Sequence, residues 1–321
     1  MGRLNSSCDA SVASTSSGSD DAVASLTRVQ QARLAKYRSA LSPLKKYHVG
    51  PGLGEGSFGV VQRVTDRKTG KQYACKHISL YQGDERDTAY IREEILREVD
   101  AMCELEHPNI AGLVEYHETE SAVYIVMELL GGEELCEALH ERGSLPEEDA
   151  RNLIRQLFEA VRYLHSQGVV HRDLKLENCI LVDEGDLSSI KIVDFGLACR
   201  VGSKVQAPRM SMCCGSPAFV APEVLRAGID NPHRTCYGQE CDVWSLGVML
   251  FAMLSGYMPF DGQTDHDVLK LVLARSFDFN DPVWELISPS ARQLISGLLE
   301  ADPNARLTID EALKHPWLAD C

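Results

Sequence analysis

Asp173, Lys175 and Asn178 share one octet, His171-Arg172-Asp173-Leu174-Lys175-Leu176-Glu177-Asn178, and Asp194-Phe195-Gly196 follows sixteen residues after Asn178. A carboxylate, a cation, an amide and a second carboxylate in this order suit phosphoryl transfer. Asp173 would orient or deprotonate a hydroxyl, and Lys175 would neutralise the migrating group. Asn178 and Asp194 would hold magnesium, whose charge is the largest local term in such a site. His171 is a base by residue type, but the apolar Val169-Val170 before it predicts a packed histidine.

Two upstream features could serve the same chemistry. Gly54-Glu55-Gly56-Ser57-Phe58-Gly59 would let backbone amides approach phosphate oxygens closely. Alone, the pattern is equally that of an ordinary glycine hairpin. A dinucleotide fold would continue into a helix, whereas Val60–Val64 continues as a strand. Lys76, in Tyr73-Ala74-Cys75-Lys76, lies among apolar strand residues, where an ammonium needs a partner. Glu98 is preferred over Glu93 and Glu94 because it opens the apolar face continued by Met102 and Leu105.

The elements that must position these groups are legible from periodicity. Val60–Val64 and Gln72–Ile78 alternate as strands about a turn at Asp66–Gly70, and Val123–Leu129 reads as a buried strand. Residues 85–105 have the pattern of a charged amphipathic helix. Helical patterns then dominate at Glu147–Gln167, Cys241–Ser255, Ser288–Leu299 and Ile309–His315. The expectation is an α+β protein of two packed lobes, a small antiparallel sheet with one helix over 47–130 and a mainly helical lobe over 131–319. Residues 1–20 are polar and expected to be disordered. Residues 21–46 carry a basic amphipathic helix, from about Asp21 to Leu41, ended before Pro43.

The chain of 321 residues has a net charge of −15, unevenly placed: residues 1–47 are basic and the remainder strongly acidic. An acidic body excludes generic nucleic-acid binding and suits basic substrates. Eleven scattered cysteines predict reduced thiols, neither disulfides nor zinc. The longest apolar runs are too short and too polar to span a membrane, and no signal-peptide pattern opens the chain, which points to the cytosol.

The order glycine loop, Lys76, Glu98, Asp173, Asn178, Asp194, Ala221-Pro222-Glu223, Asp242-Val243-Trp244-Ser245-Leu246-Gly247 and Arg306 resembles the eukaryotic protein kinases over about residues 47–319. Lys175, two residues after Asp173, is similar to serine/threonine kinases. Tyr73–Lys76, Val126–Leu129 and Ala221–Leu225 look like the calcium/calmodulin-dependent kinase group, plant-type calcium-dependent kinases especially, whereas Leu176 and Cys214-Gly215-Ser216-Pro217 look like the AMP-activated kinase branch.

The resemblance implies ATP and magnesium or manganese as cofactors. It implies ATP contacts from Leu53, Val61, Ala74 and Ile180, hinge backbone bonds at Glu128 and Leu130, Met127 as gatekeeper, and a pair between Glu223 and Arg306. Glu134 and Glu177 align with acids that receive an arginine three residues before the phosphorylated site, by bidentate pairing. Ala252 stands where strongly basophilic relatives carry a further acid. Arg172 aligns with the reader of an activation-loop phosphate, yet the usual phosphothreonine position is Met212. Either the loop is ordered without phosphate or Ser211 substitutes; Ser211 is the preferred expectation, the target of an upstream kinase, and its phosphate would lie beside Arg172 and Arg200.

Two segments, Asp183–Ser189 and Gly228–Gln239, are longer than the pattern requires and are expected to be surface loops. No EF-hand loop is present, so calcium control is expected only through another chain. Met1-Gly2-Arg3-Leu4-Asn5-Ser6 fits N-myristoylation at Gly2. Cys8 as a palmitoylation site and the basic 28–46 segment are candidate second signals for an anionic membrane surface. The competing readings are a catalytically silent scaffold, which requires a lost catalytic part where none is lost, and a small-molecule phosphotransferase, which the peptide-docking segment through Glu223 argues against.

Overall fold

The computed structural model describes residues 26–56, 59–80, 85–200, 217–230 and 238–319. The chain enters through helix α1 (Arg28–Tyr37), capped by Thr27, whose side chain and that of Gln30 each accept the other's backbone N–H. The helix ends earlier than the sequence suggests, at Tyr37 and not near Leu41, while residues 21–25 of the expected helix lie outside the described residues. Arg38 leaves it as extended backbone and forms a bridge with Tyr116, and Ser39 N–H donates to the Tyr116 carbonyl. A tertiary backbone pairing thus outcompetes local helix propensity.

Strands β1 (Tyr47–Gly56), β2 (Gly59–Asp66) and β3 (Gln72–Ser79) precede helix α2 (Glu85–Met102), and β4 (Leu113–Glu118) and β5 (Ala122–Met127) complete an antiparallel sheet ordered β1-β2-β3-β5-β4. Alternation along β3 divides its side chains. Cys75 joins Tyr47, Val64 and Val126 in a small cluster on one face, while Ala74 and Ile78 join the main core on the other. Lys76 lies between Ala74 and Ile78 on that second face, which turns it toward α2 and the cleft.

The larger lobe is built on α3 (Leu135–Arg142), α4 (Glu147–Ser166), α5 (Pro222–Asp230), α6 (Glu240–Ser255), α7 (Asp265–Ala274), α8 (Pro289–Leu298) and α9 (Ile309–Leu313). Helix α4 buries Leu153, Ile154, Leu157, Phe158, Val161 and Leu164 as one stripe. Helix α6 is buried at every position from Cys241 to Ser255, as expected of a helix apolar all round at the centre of a domain. Four short strands, β6 (Val169–Val170), β7 (Cys179–Leu181), β8 (Ile190–Ile192) and β9 (Cys199–Arg200), pair as β6-β9 and β7-β8. These two ribbons hold the octet between them. The two-lobed α+β kinase fold is as the sequence predicts.

Candidate active site

The octet begins where β6 ends, and a fully buried carboxylate of α6 fixes its backbone. Asp242 accepts from His171 N–H (2.9 Å), from Arg172 N–H (2.8 Å) and from the His165 ring (2.8 Å). Burial pushes the Asp242 carboxyl upward, but the His165 hydrogen bond and the surrounding positive charge outweigh it and hold the group below its ordinary value. The anchor keeps Arg172 in the left-handed region, φ 68°, a conformation costing about 1–3 kcal/mol that persists only where its surroundings enforce it. His171 is fully buried against the Phe195 ring, at 5.0 Å between centroids, and burial lowers its pKa. It is a neutral packed histidine, not a solvent-facing base.

Beyond the anchor, Asn178 donates through Nδ2 to both the carbonyl (2.9 Å) and Oδ2 (3.0 Å) of Asp173. Lys175 Nζ lies 3.5 Å from the same carboxylate. With its nitrogen committed to Asp173, the Asn178 amide keeps its oxygen for a cation. Asp194, at φ 34°, accepts from Gly196 N–H (3.0 Å) and Lys76 Nζ (2.7 Å) through Oδ1. One carboxylate and one amide oxygen form a hard-oxygen donor set of the kind magnesium takes alongside phosphate oxygens and water.

Lys76 is 2 % exposed and donates to Glu98 (2.8 Å) and Asp194 (2.7 Å). Burial works against its charge, yet the two carboxylates outweigh that and raise its pKa. Asp194 is likewise held low because the ammonium outweighs burial, whereas burial pushes the Glu98 carboxyl up. The preference for Glu98 over Glu93 and Glu94 holds: both of those face Arg97 instead.

A cleft of about 470 Å³ opens over this triad. Of the sequence-predicted nucleotide contacts, Leu53, Gly54, Val61, Ala74, Lys76, Met127, Glu128, Leu130 and Ile180 line it, together with Lys175, Asn178 and Asp194. Glu128 N–H donates to the Gly112 carbonyl (2.9 Å) and the Glu128 side chain pairs with Lys191 (2.7 Å), so its carbonyl is the group it offers the cleft. The glycines divide by role. Nothing lies within 4 Å of a side chain built at Gly54, whereas one at Gly59 would meet the His77 carbonyl at 2.2 Å. Gly59 is therefore required by the sheet, whereas the protein itself leaves room for a side chain at Gly54, which faces the cleft. Glu55 and Gly56 continue β1, pairing with Val60 and Gly59.

Glu134 precedes α3 and Glu177 lies on the short turn Leu176–Asn178, and both border the cleft. Sequence reasoning missed Glu137, which borders it too; its spacing of three from Glu134 on a helix is the signal that would have found it. Val193, immediately before Asp194, was also missed. Glu223 and Arg306 meet bidentately at 2.7 and 2.8 Å. Arg172 donates through Nε to the Leu197 carbonyl (2.6 Å), while its buried Nη1 has no partner among the described residues. Gly2, Cys8, Ser57, Phe58 and Ser211 lie outside the described residues.

The basic segment is paired with acidic residues of the small lobe. Arg33, Lys36, Arg38 and Lys46 form ion pairs with Asp100, Glu104, Glu118 and Glu115 of the small lobe.

Comparison with known proteins agrees with this geometry. The family model for the protein kinase domain matches residues 47–318. The chain is 39% identical over 275 residues to calcium-dependent protein kinase 14 of Arabidopsis thaliana, covering 85% of this chain and 49% of that protein. It is 39% identical over 275 residues to calcium/calmodulin-dependent protein kinase type I of Schizosaccharomyces pombe, covering 86% and 79%, and 37% identical over 273 residues to death-associated protein kinase 2 of Mus musculus, covering 85% and 71%. The chain thus spans about half the length of the Arabidopsis relative. With a buried lysine paired across its cleft and a family match running from β1 into the last helical turn, the chain belongs to the protein kinase domain family and, by its relatives, to the calcium/calmodulin-dependent group of serine/threonine kinases.

Proposed function

We propose that residues 47–130 and 131–319 form the two lobes of an active ATP- and magnesium-dependent serine/threonine protein kinase. The observation that carries this reading is Lys76 held between Glu98 and Asp194 inside the cleft. A pseudokinase has no need to keep that triad together with Asp173 and Asn178. In the reaction a substrate hydroxyl oxygen bonds the γ-phosphorus, the bond from that phosphorus to the β–γ bridging oxygen breaks, and ADP leaves. Asp173 orients the hydroxyl and takes its proton, while Lys175 offsets charge on the migrating group. Lys76 positions the α- and β-phosphates. Asn178 and Asp194 would hold magnesium, which neutralises phosphate charge as it moves to the leaving group. Radiolabel transfer from ATP to a basic peptide tests the reading. The full chain should label the peptide and Asp194→Ala should not; equal labelling by both would overturn it.

The substrate class is read from charge. Glu134 and Glu177 sit at the cleft rim, and an adjoining recess of about 930 Å³ is bordered by Glu133, Glu137, Glu141 and Glu184, against one cation, Arg142, and His140. This supports protein substrates with an arginine three residues before the target. A peptide array with acidic or proline-directed preference would contradict it. The Nη1 of Arg172, unpartnered among the described residues, supports its role as a phosphate reader, with Ser211 as the modified residue. Ser211→Ala should lower activity to the level of the phosphatase-treated chain.

Attachment to a membrane through acylation rests on the opening Met1–Ser6 pattern for Gly2, with Cys8 and the basic 28–46 segment as second signals. Gly2→Ala should release the protein from a membrane fraction; unchanged association would rule the acylation out.

A further inference from the structure

Helix α2 carries Glu98, and its position decides whether Lys76 is paired. At 3.6 residues per turn, Glu98 and Asp100 point to nearly opposite faces of it. The Glu98 face meets Lys76. The Asp100 face meets α1: Arg33 donates to Asp100 Oδ1 and Oδ2 at 2.8 Å each, and Gln30 adds a bond to Oδ2 at 3.3 Å. Arg200 of β9 reaches the same residue, donating to the Asp100 and Cys103 carbonyls (3.3 and 3.0 Å) with Nε 3.7 Å from its carboxylate.

Three further features mark this as a built contact. Asp100 is only 2 % exposed, and a buried carboxylate is costly without a paired cation. Leu34 of α1 is buried in the main core, and Tyr37 Oη accepts from Glu104 N–H at the end of α2. Residues 98–103 are consecutively buried, whereas Glu94 and Arg97, one turn earlier, are exposed. The half of α2 that α1 covers is thus the half that carries Glu98.

We propose that Arg33 and Asp100 are positioning residues, through which the segment preceding the catalytic domain clamps α2 with Glu98 against Lys76 and links it to Arg200 at the start of the activation segment. The inference concerns how catalysis is supported and rests on the kinase reading above. Neither residue touches nucleotide. Arg33 acts through Asp100, Asp100 through the helix, and the helix through Glu98. The segment serves as an internal brace whose release would lower catalytic output without altering any group in the cleft.

The test uses the full chain and two readouts. Arg33→Ala should reduce kcat/KM for ATP about tenfold, a size typical of coupling between sites, with the melting temperature lowered by only a few degrees. Arg33→Lys should recover part of the loss, because one ammonium cannot span both oxygens. In an Asp100→Asn background Arg33→Ala should add little, since both act on one contact. Arg28→Ala, an exposed position on the same helix, should change nothing. Hydrogen exchange of residues 91–105 should quicken in Arg33→Ala. Unaltered exchange and unaltered kcat/KM in Arg33→Ala would overturn the clamp while leaving the kinase reading intact. Faster exchange in a chain that transfers no phosphate even as wild type would sustain the clamp and overturn the kinase reading.

Discussion

Two buried ion-pair stations sit in the two lobes, and they are built on opposite principles. In the large lobe Arg306, wholly inaccessible, grips Glu223 bidentately, donates to the Glu240 and Glu300 carbonyls (2.6 and 2.9 Å), and lies over the Trp244 ring at 5.2 Å. Each arm of the guanidinium has a fixed acceptor. In the small lobe Lys76 offers a compact ammonium to two carboxylates, Glu98 and Asp194, that come from different elements. The planar fork suits a joint made once at folding, and the point charge suits one that can exchange an oxygen of the protein for one of a phosphate. Structural and catalytic ion pairs are thus distinguishable by partner count and geometry before any ligand is present.

The comparison breaks most visibly if the Lys76 station is removed. Lys76→Met should cut kcat about a thousandfold, the upper range for deleting one preorganised electrostatic contact, with the fold retained by circular dichroism. Arg306→Ala should do the reverse. Breaking a fully buried pair costs about 3–5 kcal/mol; with Glu223 only partly buried the loss should fall at the low end, readable as a lowered denaturation midpoint, and Arg306→Lys should not restore it. If Arg306→Ala reduced turnover at unchanged stability, the division between the two stations would fail.

Acid sharpens the contrast further. His171 is buried with its pKa lowered, so below about pH 6.5 the unfolded chain binds a proton that the folded protein refuses. Its contribution is complete above that pH and lost as pH falls toward the depressed folded value. Asp242, also held low, adds a second loss below about pH 4. Melting temperature should therefore fall on acidification from pH 6.5, and His171→Asn should flatten the slope between pH 6.5 and 5. The smallest effect belongs to the exposed pair Lys36–Glu104. Lys36→Ala should leave the melting temperature essentially unchanged, because an exposed pair is screened by solvent, and a clear drop would mean that this surface pair helps to hold α1.

Much of the site was legible in the sequence because its parts are local. The octet, the Lys76 strand and the Glu98 helix each announce themselves within a few residues. What was not legible depends on partners far along the chain. Nothing in the basic residues Arg33, Lys36 and Arg38 tells that Asp100, Glu104 and Glu118 receive them, about seventy to eighty positions later. Strand β4 was missed because Glu115, His117 and Glu118 blur its apolar alternation. Those groups are tolerable there because Lys46, Tyr47 and Arg38 meet Glu115 and Glu118, and His117 bonds Glu115 and the Leu41 carbonyl. Asp242 read as part of a family motif, and nothing in its neighbours revealed that it binds the backbone of the octet.

That bond has a temporal consequence. The amides of His171 and Arg172 are tied to the most deeply buried helix of the molecule. They can open to solvent only when that helix does, which places them in the last cooperative unit to unfold. The amides of His171 and Arg172 should therefore be among the slowest in the molecule to exchange with solvent, and the backbone just before Asp173 should keep its shape until the core itself gives way.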